Sequence, residues 1–207
     1  MTHFCIASKV AFTVLALGLA KFAFAEPINV NLVTTAGEIR FELFPDKAPL
    51  TVANFLKYVE VGHFTGGSFY RVVRMDNQEQ NTVRIEVIQG GLAGKEGAVS
   101  FDPIVLERTN KTGLKHLHGT LSMARSEPDS GTSEFFICIN DQPSLDFGGE
   151  RNPDGQGFAA FGRVVEGMDV VLRIQEMKTI PSDPDKLEYT SGQSLVEPVR
   201  FVSFDRE

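Results

Sequence analysis

Polar and apolar residues alternate over Glu38–Leu43, where Ile39, Phe41 and Leu43 interleave with Glu38, Arg40 and Glu42. A period of two sends successive side chains to opposite faces, so this run reads as a strand with one buried side. Ile28–Thr34 and Glu38–Phe44 form a strand pair turned at Gly37, and Pro45 stops the second strand. The period then changes. In Ala48–Val61 the apolar positions Val52, Phe55, Leu56 and Val59 fall at helical spacing, with Pro49 in the first turn and Gly62 at the end. Ser68–Val73 and Ile85–Gln89 are β-rich runs separated by the polar, turn-prone Met75–Arg84. Further strands are predicted at Gly119–Ala124, Glu134–Ile139, Phe158–Val164 and Pro198–Phe204, and a second helix at Met168–Gln175. Lys178–Glu197, rich in Pro, Ser and Asp, reads as a surface excursion. No internal repeat is present.

The stretch Gly119–Cys138, GTLSMARSEPDSGTSEFFIC, holds two apolar runs around the turn formers Pro128, Asp129, Ser130 and Gly131. Taken alone it is a β-hairpin. Its neighbours add more: SFYRVV (68–73) places Arg71 in an apolar strand, VIQGG (87–91) ends a strand in paired glycines, and FAAFGRVVEGMDVV follows from Phe158. In this order the pieces resemble the cyclophilins, the prolyl cis–trans isomerases. SFYRVV is similar to the family's F-H-R-x-x, VIQGG to M-x-Q-G-G, GTLSMARS to G-x-L-S-M-A-N-A, SEFFIC to S-Q-F-F-I, and FAAFGRVVEGMDVV to F-G-x-V-x-x-G-M-x-V-V. The resemblance spans Pro27 to Ile174 and resumes in the last strand. It implies a mainly β fold, a closed eight-stranded antiparallel barrel capped by two helices, with no cofactor.

The chemistry so implied needs neither metal nor covalent step. Amide resonance sets a barrier of roughly 18–20 kcal/mol to X–Pro rotation. In the twisted state the prolyl nitrogen gains a lone pair, and a donor aimed at it lowers the barrier if it favours that state over both ground states. Arg71 matches the donor, permanently charged and planar, and Gln89 the partner of the substrate backbone. Phe136, Leu145, Val87 and Phe158 match the walls of the proline pocket. Ala124 and Arg125 match the segment whose backbone binds the peptide. Read without the resemblance, these same residues are a strand Arg and Gln, barrel core, and a solvated loop charge.

Several positions depart from the family pattern. Met75–Arg84 is an insertion. Glu86 falls where an apolar ring is usual, so either the register shifts or the pocket is rebuilt. Glu134 replaces a Gln that helps orient the arginine, and a carboxylate there is expected to face Arg71 at hydrogen-bonding range. Ser144 stands for a Trp, a residue the chain lacks altogether, so cyclosporin binding is expected to be weak.

Composition narrows the setting. Within residues 1–25, Lys9, the apolar run Val10–Ala20 and the small-x-small triplet Ala23-Phe24-Ala25 make a secretory signal peptide. The run is interrupted by Lys21 and is short for a membrane span of about 20 residues. Cleavage would leave residues 26–207 as a single domain in the periplasm. The net charge of −7 becomes more negative without Lys9 and Lys21, which argues against nucleic acid and anionic membrane as partners. Cys5 would leave with the leader, and Cys138 would remain as a lone buried thiol. His116 and His118 read as surface histidines. The echo of a calcium loop from Glu150 fails because Phe161 holds its twelfth position, and Asn110-Lys111-Thr112 is a sequon. The reading is an exported, monomeric isomerase acting on proline-containing polypeptides. The rival is a non-catalytic proline-segment binding module or chaperone.

Overall fold

Alternation becomes architecture in the computed structural model, which describes Met1, residues 26–185 and residues 188–207. Apart from Met1, the leader expected over 1–25 lies outside the described residues. Eight strands form: β1 (Ile28–Thr34), β2 (Gly37–Leu43), β3 (Ser68–Val73), β4 (Val87–Gly91), β5 (Thr120–Met123), β6 (Phe135–Cys138), β7 (Ala159–Glu166) and β8 (Ser194–Arg206). They close an antiparallel barrel in the order β1-β2-β7-β5-β6-β4-β3-β8. Closure leaves no strand with a free edge.

One face of each strand fills the barrel. Val30, Leu32, Ile39, Phe41, Leu43, Phe69, Ile88, Phe135, Ile137, Phe161 and Phe201 are all buried in a single cluster. Helix α1 (Pro49–Glu60) packs on β7 and β8, and α3 (Met168–Gln175) on β2, β3 and β4. From α1, the Phe55 ring meets Phe64, Phe135, Phe161 and Phe204 at 5.2 to 5.8 Å between centroids. The pairs with Phe135 and Phe204 are edge-to-face, a geometry that adds about 0.5–1.5 kcal/mol each beyond burial. β7 crosses β2 so closely that a Cβ on Gly162 would lie 2.7 Å from the Glu42 carbonyl oxygen.

Two elements differ from expectation. A third helix, α2 (Thr109–Thr112), is one turn ended by Gly113 in the left-handed region, too short to leave a periodic signal. β8 begins at Ser194 rather than Pro198. Its register against β3 slips between Phe69↔Val199 and Arg71↔Ser194, and that irregularity accommodates Pro198 inside the strand.

Candidate active site

Strand parity builds the site on the outside of the barrel. Val72, Ile88, Phe135 and Ile137 point inward, so Val73, Val87, Phe136 and Cys138 point outward. They form a second apolar cluster with Ile85 and Leu145, against which Ala124 and Phe158 pack. Leu145 is delivered by one turn of 3-10 helix, Pro143–Leu145. Phe158 meets the Phe136 ring edge-on at 5.3 Å. Above this floor opens a cavity of about 330 Å³. Arg71, Gln89, Val87, Ala124, Arg125, Phe136, Leu145 and Phe158 all line it, joined by Ile85, Ser126, Asn152 and Tyr189. A larger depression, about 730 Å³, lies between β3, β8 and residues 93–96, where Lys95, Glu96 and Arg200 line it beside Tyr70, Leu195 and Pro198, and it contains neither Arg71 nor Gln89.

Arg71 sits at the rim, held by two amides. Its Nη1 donates to Gln89 Oε1 at 2.6 Å, while Nε and Nη2 both donate to Gln193 Oε1, at 2.9 and 2.6 Å. Gln193 is fully buried, and its Nε2 faces the carbonyls of Asn77 and Tyr189 at 3.3 and 3.5 Å, which turns its oxygen toward Arg71. Both acceptors are neutral, so the guanidinium is oriented without being neutralised. Burial pushes Arg71 below the ordinary arginine range, yet a group this basic remains a cation.

Glu134 does not face Arg71. Its Oε1 accepts from the backbone N–H groups of Leu92 and Ala93 at 2.8 and 3.1 Å, and its Oε2 accepts from the Tyr70 hydroxyl at 2.7 Å. The side chain crosses the end of β4 at Gly91, where a Cβ would lie 2.5 Å from Oε1. Two fixed N–H donors just past that glycine capture the carboxylate before it can reach Arg71. The link is indirect: Glu134 to Tyr70, and Tyr70 to Gln89, whose Nε2 donates to the phenol oxygen at 2.8 Å. Burial first, and then the Glu134 charge, push the Tyr70 hydroxyl far up, so it stays protonated and donating.

The departure at Glu86 also resolves. Glu86 lies outside the pocket, where its carboxylate accepts from Asn140 Nδ2 at 3.1 Å. Ile85, of the same parity as Val87, supplies the apolar wall instead. Arg125 is no solvated loop charge. Its side chain is 2% exposed, pairs through both Nη atoms with Asp154 at 2.8 and 2.9 Å, and lies 5.1 Å from the Phe158 ring centre. That hydrogen bond from Arg125 holds the Asp154 carboxyl below its usual range.

His118 is exposed, as expected, but His116 is 1% exposed. His116 Nδ1 lies 2.8 Å from Asp146 Oδ1 and Nε2 lies 2.9 Å from Ser122 Oγ. The carboxylate can only accept, so Nδ1 carries the proton and Nε2 accepts from Ser122. Burial depresses the His116 pKa, which keeps the ring neutral. It stacks behind Phe136 at 6.0 Å. Burial pushes the Cys138 thiol far up, which makes it a poor nucleophile.

Gln193, Tyr189, Tyr70 and Ile85 were not singled out from the sequence. Parity with Val87 would have found Ile85, and Tyr70 stands at the His of the F-H-R motif. Gln193 and Tyr189 lie in the Pro- and Ser-rich excursion, and no local pattern marks them.

Together the barrel and this rim set the Arg71 cation, held by neutral amides, beside an apolar pocket. The model of the family described as cyclophilin type peptidyl-prolyl cis-trans isomerase/CLD matches residues 29–190. Peptidyl-prolyl cis-trans isomerase A of Dickeya dadantii (strain 3937) is 37% identical over 172 residues, covering 79% of this chain and 83% of that protein. Peptidyl-prolyl cis-trans isomerase B of Escherichia coli (strain K12) is 39% identical over 153 residues, covering 72% and 85%. The crystal structure of a cyclophilin type isomerase from Cryptosporidium parvum shares the fold, with a TM-score of 0.63 at 21% identity over 87% of this chain and 98% of that one. The chain belongs to the cyclophilin-type peptidyl-prolyl cis–trans isomerases, an enzyme family.

Proposed function

We propose that the outer cavity takes the proline ring of an X–Pro segment on Phe136, Leu145, Val87, Ile85 and Phe158, while Arg71 directs an N–H at the prolyl nitrogen as the bond twists. The observation that carries this is the pairing of Arg71 with two neutral amides beside an apolar floor. A cation whose field is not cancelled by a carboxylate favours the lone pair that appears only in the twisted state. Gln89 spends one acceptor site on Arg71 and one N–H on Tyr70, which leaves its second N–H for the peptide backbone. Ala124 and Arg125 line the approach of the chain preceding the proline. Substrates are exposed X–Pro bonds of polypeptides.

The test is an isomerisation assay on a short proline peptide. Arg71→Ala should fold and lose roughly 10²–10³ in kcat/KM, the size of losing one preorganised donor. Peptide binding without acceleration by the wild type would favour the binding-module reading instead. For the setting, the leader pattern of residues 1–25 supports export to the periplasm as one domain, residues 26–207. The paired barrel edges support a monomer, and the acidic charge disfavours nucleic acid and anionic membrane.

A further inference from the structure

Two segments that the motifs leave unexplained meet over the cavity. From the Lys178–Glu197 excursion, Tyr189 lines the same cavity as Phe136 and Leu145. It is 52% exposed, so half of a large ring stands open at the rim. Its ring lies against two guanidiniums: Arg71 Cζ is 5.4 Å and Arg151 Cζ 5.3 Å from the ring centre. Arg151 is 6% exposed and pairs with no carboxylate among the described residues. Its Nη1 donates to Gln78 Oε1 at 3.2 Å and to the Val83 carbonyl, and its Nε and Nη2 have no hydrogen-bond partner. The aromatic face of Tyr189 is therefore a main interaction of that buried cation.

The Met75–Arg84 insertion fixes the tyrosine from the other side. Gln80 Nε2 donates to the Tyr189 carbonyl at 2.9 Å, and lies 3.4 and 3.3 Å from those of Glu188 and Ser191. Gln78, which holds Arg151, is fully buried and bonded to both sides of the insertion, at Arg74 and Ile85. The insertion thus anchors the platform under the ring and the backbone that carries it.

We infer that Tyr189 is a specificity-determining residue, an aromatic wall that contacts the side chain flanking the substrate's proline and favours an apolar or aromatic one. A proline ring seated on Phe136 with its nitrogen toward Arg71 leads its chain past Arg71, and the open half of Tyr189 is the apolar surface there. Arg151 is buried and the Arg71 N–H groups are aimed at the prolyl nitrogen, so what the half-exposed Tyr189 offers a flanking side chain is its ring. The inference rests on the proposed isomerase reading.

The experiment measures kcat and KM on proline peptides carrying Ala, Leu or Phe immediately before or after the proline, for wild type, Tyr189→Phe, Tyr189→Ala and Gln80→Ala. Wild-type turnover of the all-Ala peptide tests the isomerase reading by itself; the selectivity ratios test Tyr189. In one of the two series the wild type should prefer Phe and Leu over Ala. Tyr189→Ala should cut that preference, read as the ratio of kcat/KM between the Phe and Ala peptides within each variant, by about five- to tenfold and through KM, the size of one aromatic contact. Tyr189→Phe should retain the preference. Gln80→Ala should lose part of it, and serves in place of Tyr189→Ala if that variant is unstable. A loss equal across all peptides, or carried by kcat, would mean that Tyr189 only braces Arg71 and would overturn the inference, as would an unchanged preference in Tyr189→Ala.

Discussion

Gln193 offers the sharpest check on how Arg71 is held. Its single oxygen, on a fully buried side chain, accepts two of the guanidinium's N–H groups at 2.9 and 2.6 Å. Gln193→Leu keeps the bulk and removes the acceptor. A hydrogen bond to a charged group contributes about 1.5–3 kcal/mol, and the donors left behind are only partly reached by water. Part of that loss appears as stability, about 1–3 kcal/mol by urea unfolding. The remainder appears as misorientation of Arg71 in the twisted state, about 10- to 100-fold in kcat at about 1.4 kcal/mol per decade, with KM little changed. Gln193→Glu separates orientation from charge. It preserves the acceptor geometry but sets a carboxylate against Arg71, an attraction of about 4 kcal/mol at 4 Å and an effective dielectric of 20. That firmer grip cancels part of the field aimed at the prolyl nitrogen, so kcat should fall about tenfold even though the arginine is better fixed. The assay is peptide isomerisation with kcat and KM resolved, beside an unfolding curve for each variant. If Gln193→Glu matched or exceeded wild type, neutrality of the partners would be irrelevant and the electrostatic argument refuted. If Gln193→Leu also stayed within threefold, Gln193 would have no part in positioning.

Three further outcomes are expected. Glu134→Leu should cost stability more than turnover, because it strands the part-buried Leu92 N–H and Tyr70 hydroxyl, while the exposed Ala93 N–H can turn to water, at up to about 1–3 kcal/mol per stranded group; Glu134→Gln, which keeps an oxygen for the two N–H groups, should stay within about tenfold in kcat/KM, and thermal melts with the peptide assay distinguish the two. His116 has a depressed pKa in the fold, so the unfolded chain takes up its proton first: stability should be full above about pH 6.5 and fall as pH drops from there, by at most about 1.4 kcal/mol per unit for one proton. Asp146 carries the same sign in stronger acid: burial alone would raise its pKa, but the hydrogen bond from His116, the charges nearby and Lys115 bring it below the usual range; denaturation of wild type and His116→Gln between pH 7.5 and 5 should show a flatter slope in the variant. The mature chain from its native host should begin at Glu26, and N-terminal sequencing that finds residues 1–25 still attached would remove the periplasmic assignment.

What the sequence determined by itself is whatever local periodicity and short motifs encode. Ile39, Phe41 and Leu43 announce a half-buried strand because the pleat has a period of two, and Val52, Phe55 and Val59 announce a helix because their spacing is that of a helical face. Arg71, Gln89, Phe136, Leu145 and Phe158 stood out through motif order, and the structure brings them around one cavity. Tertiary structure alone decided the partners. Glu134 was expected on Arg71, but a glycine at 91 and two backbone N–H groups just beyond it compete for the same carboxylate at shorter reach. Gln193 reaches Arg71 across 122 positions of sequence, and Gln80 reaches Tyr189 across 109. His116 reads as a surface residue until Asp146 and Ser122 close on it. A period marks which face of an element is buried. Which polar group satisfies which is settled only when distant strands and loops are brought within 3 Å, where each buried donor must take the acceptor geometry leaves it.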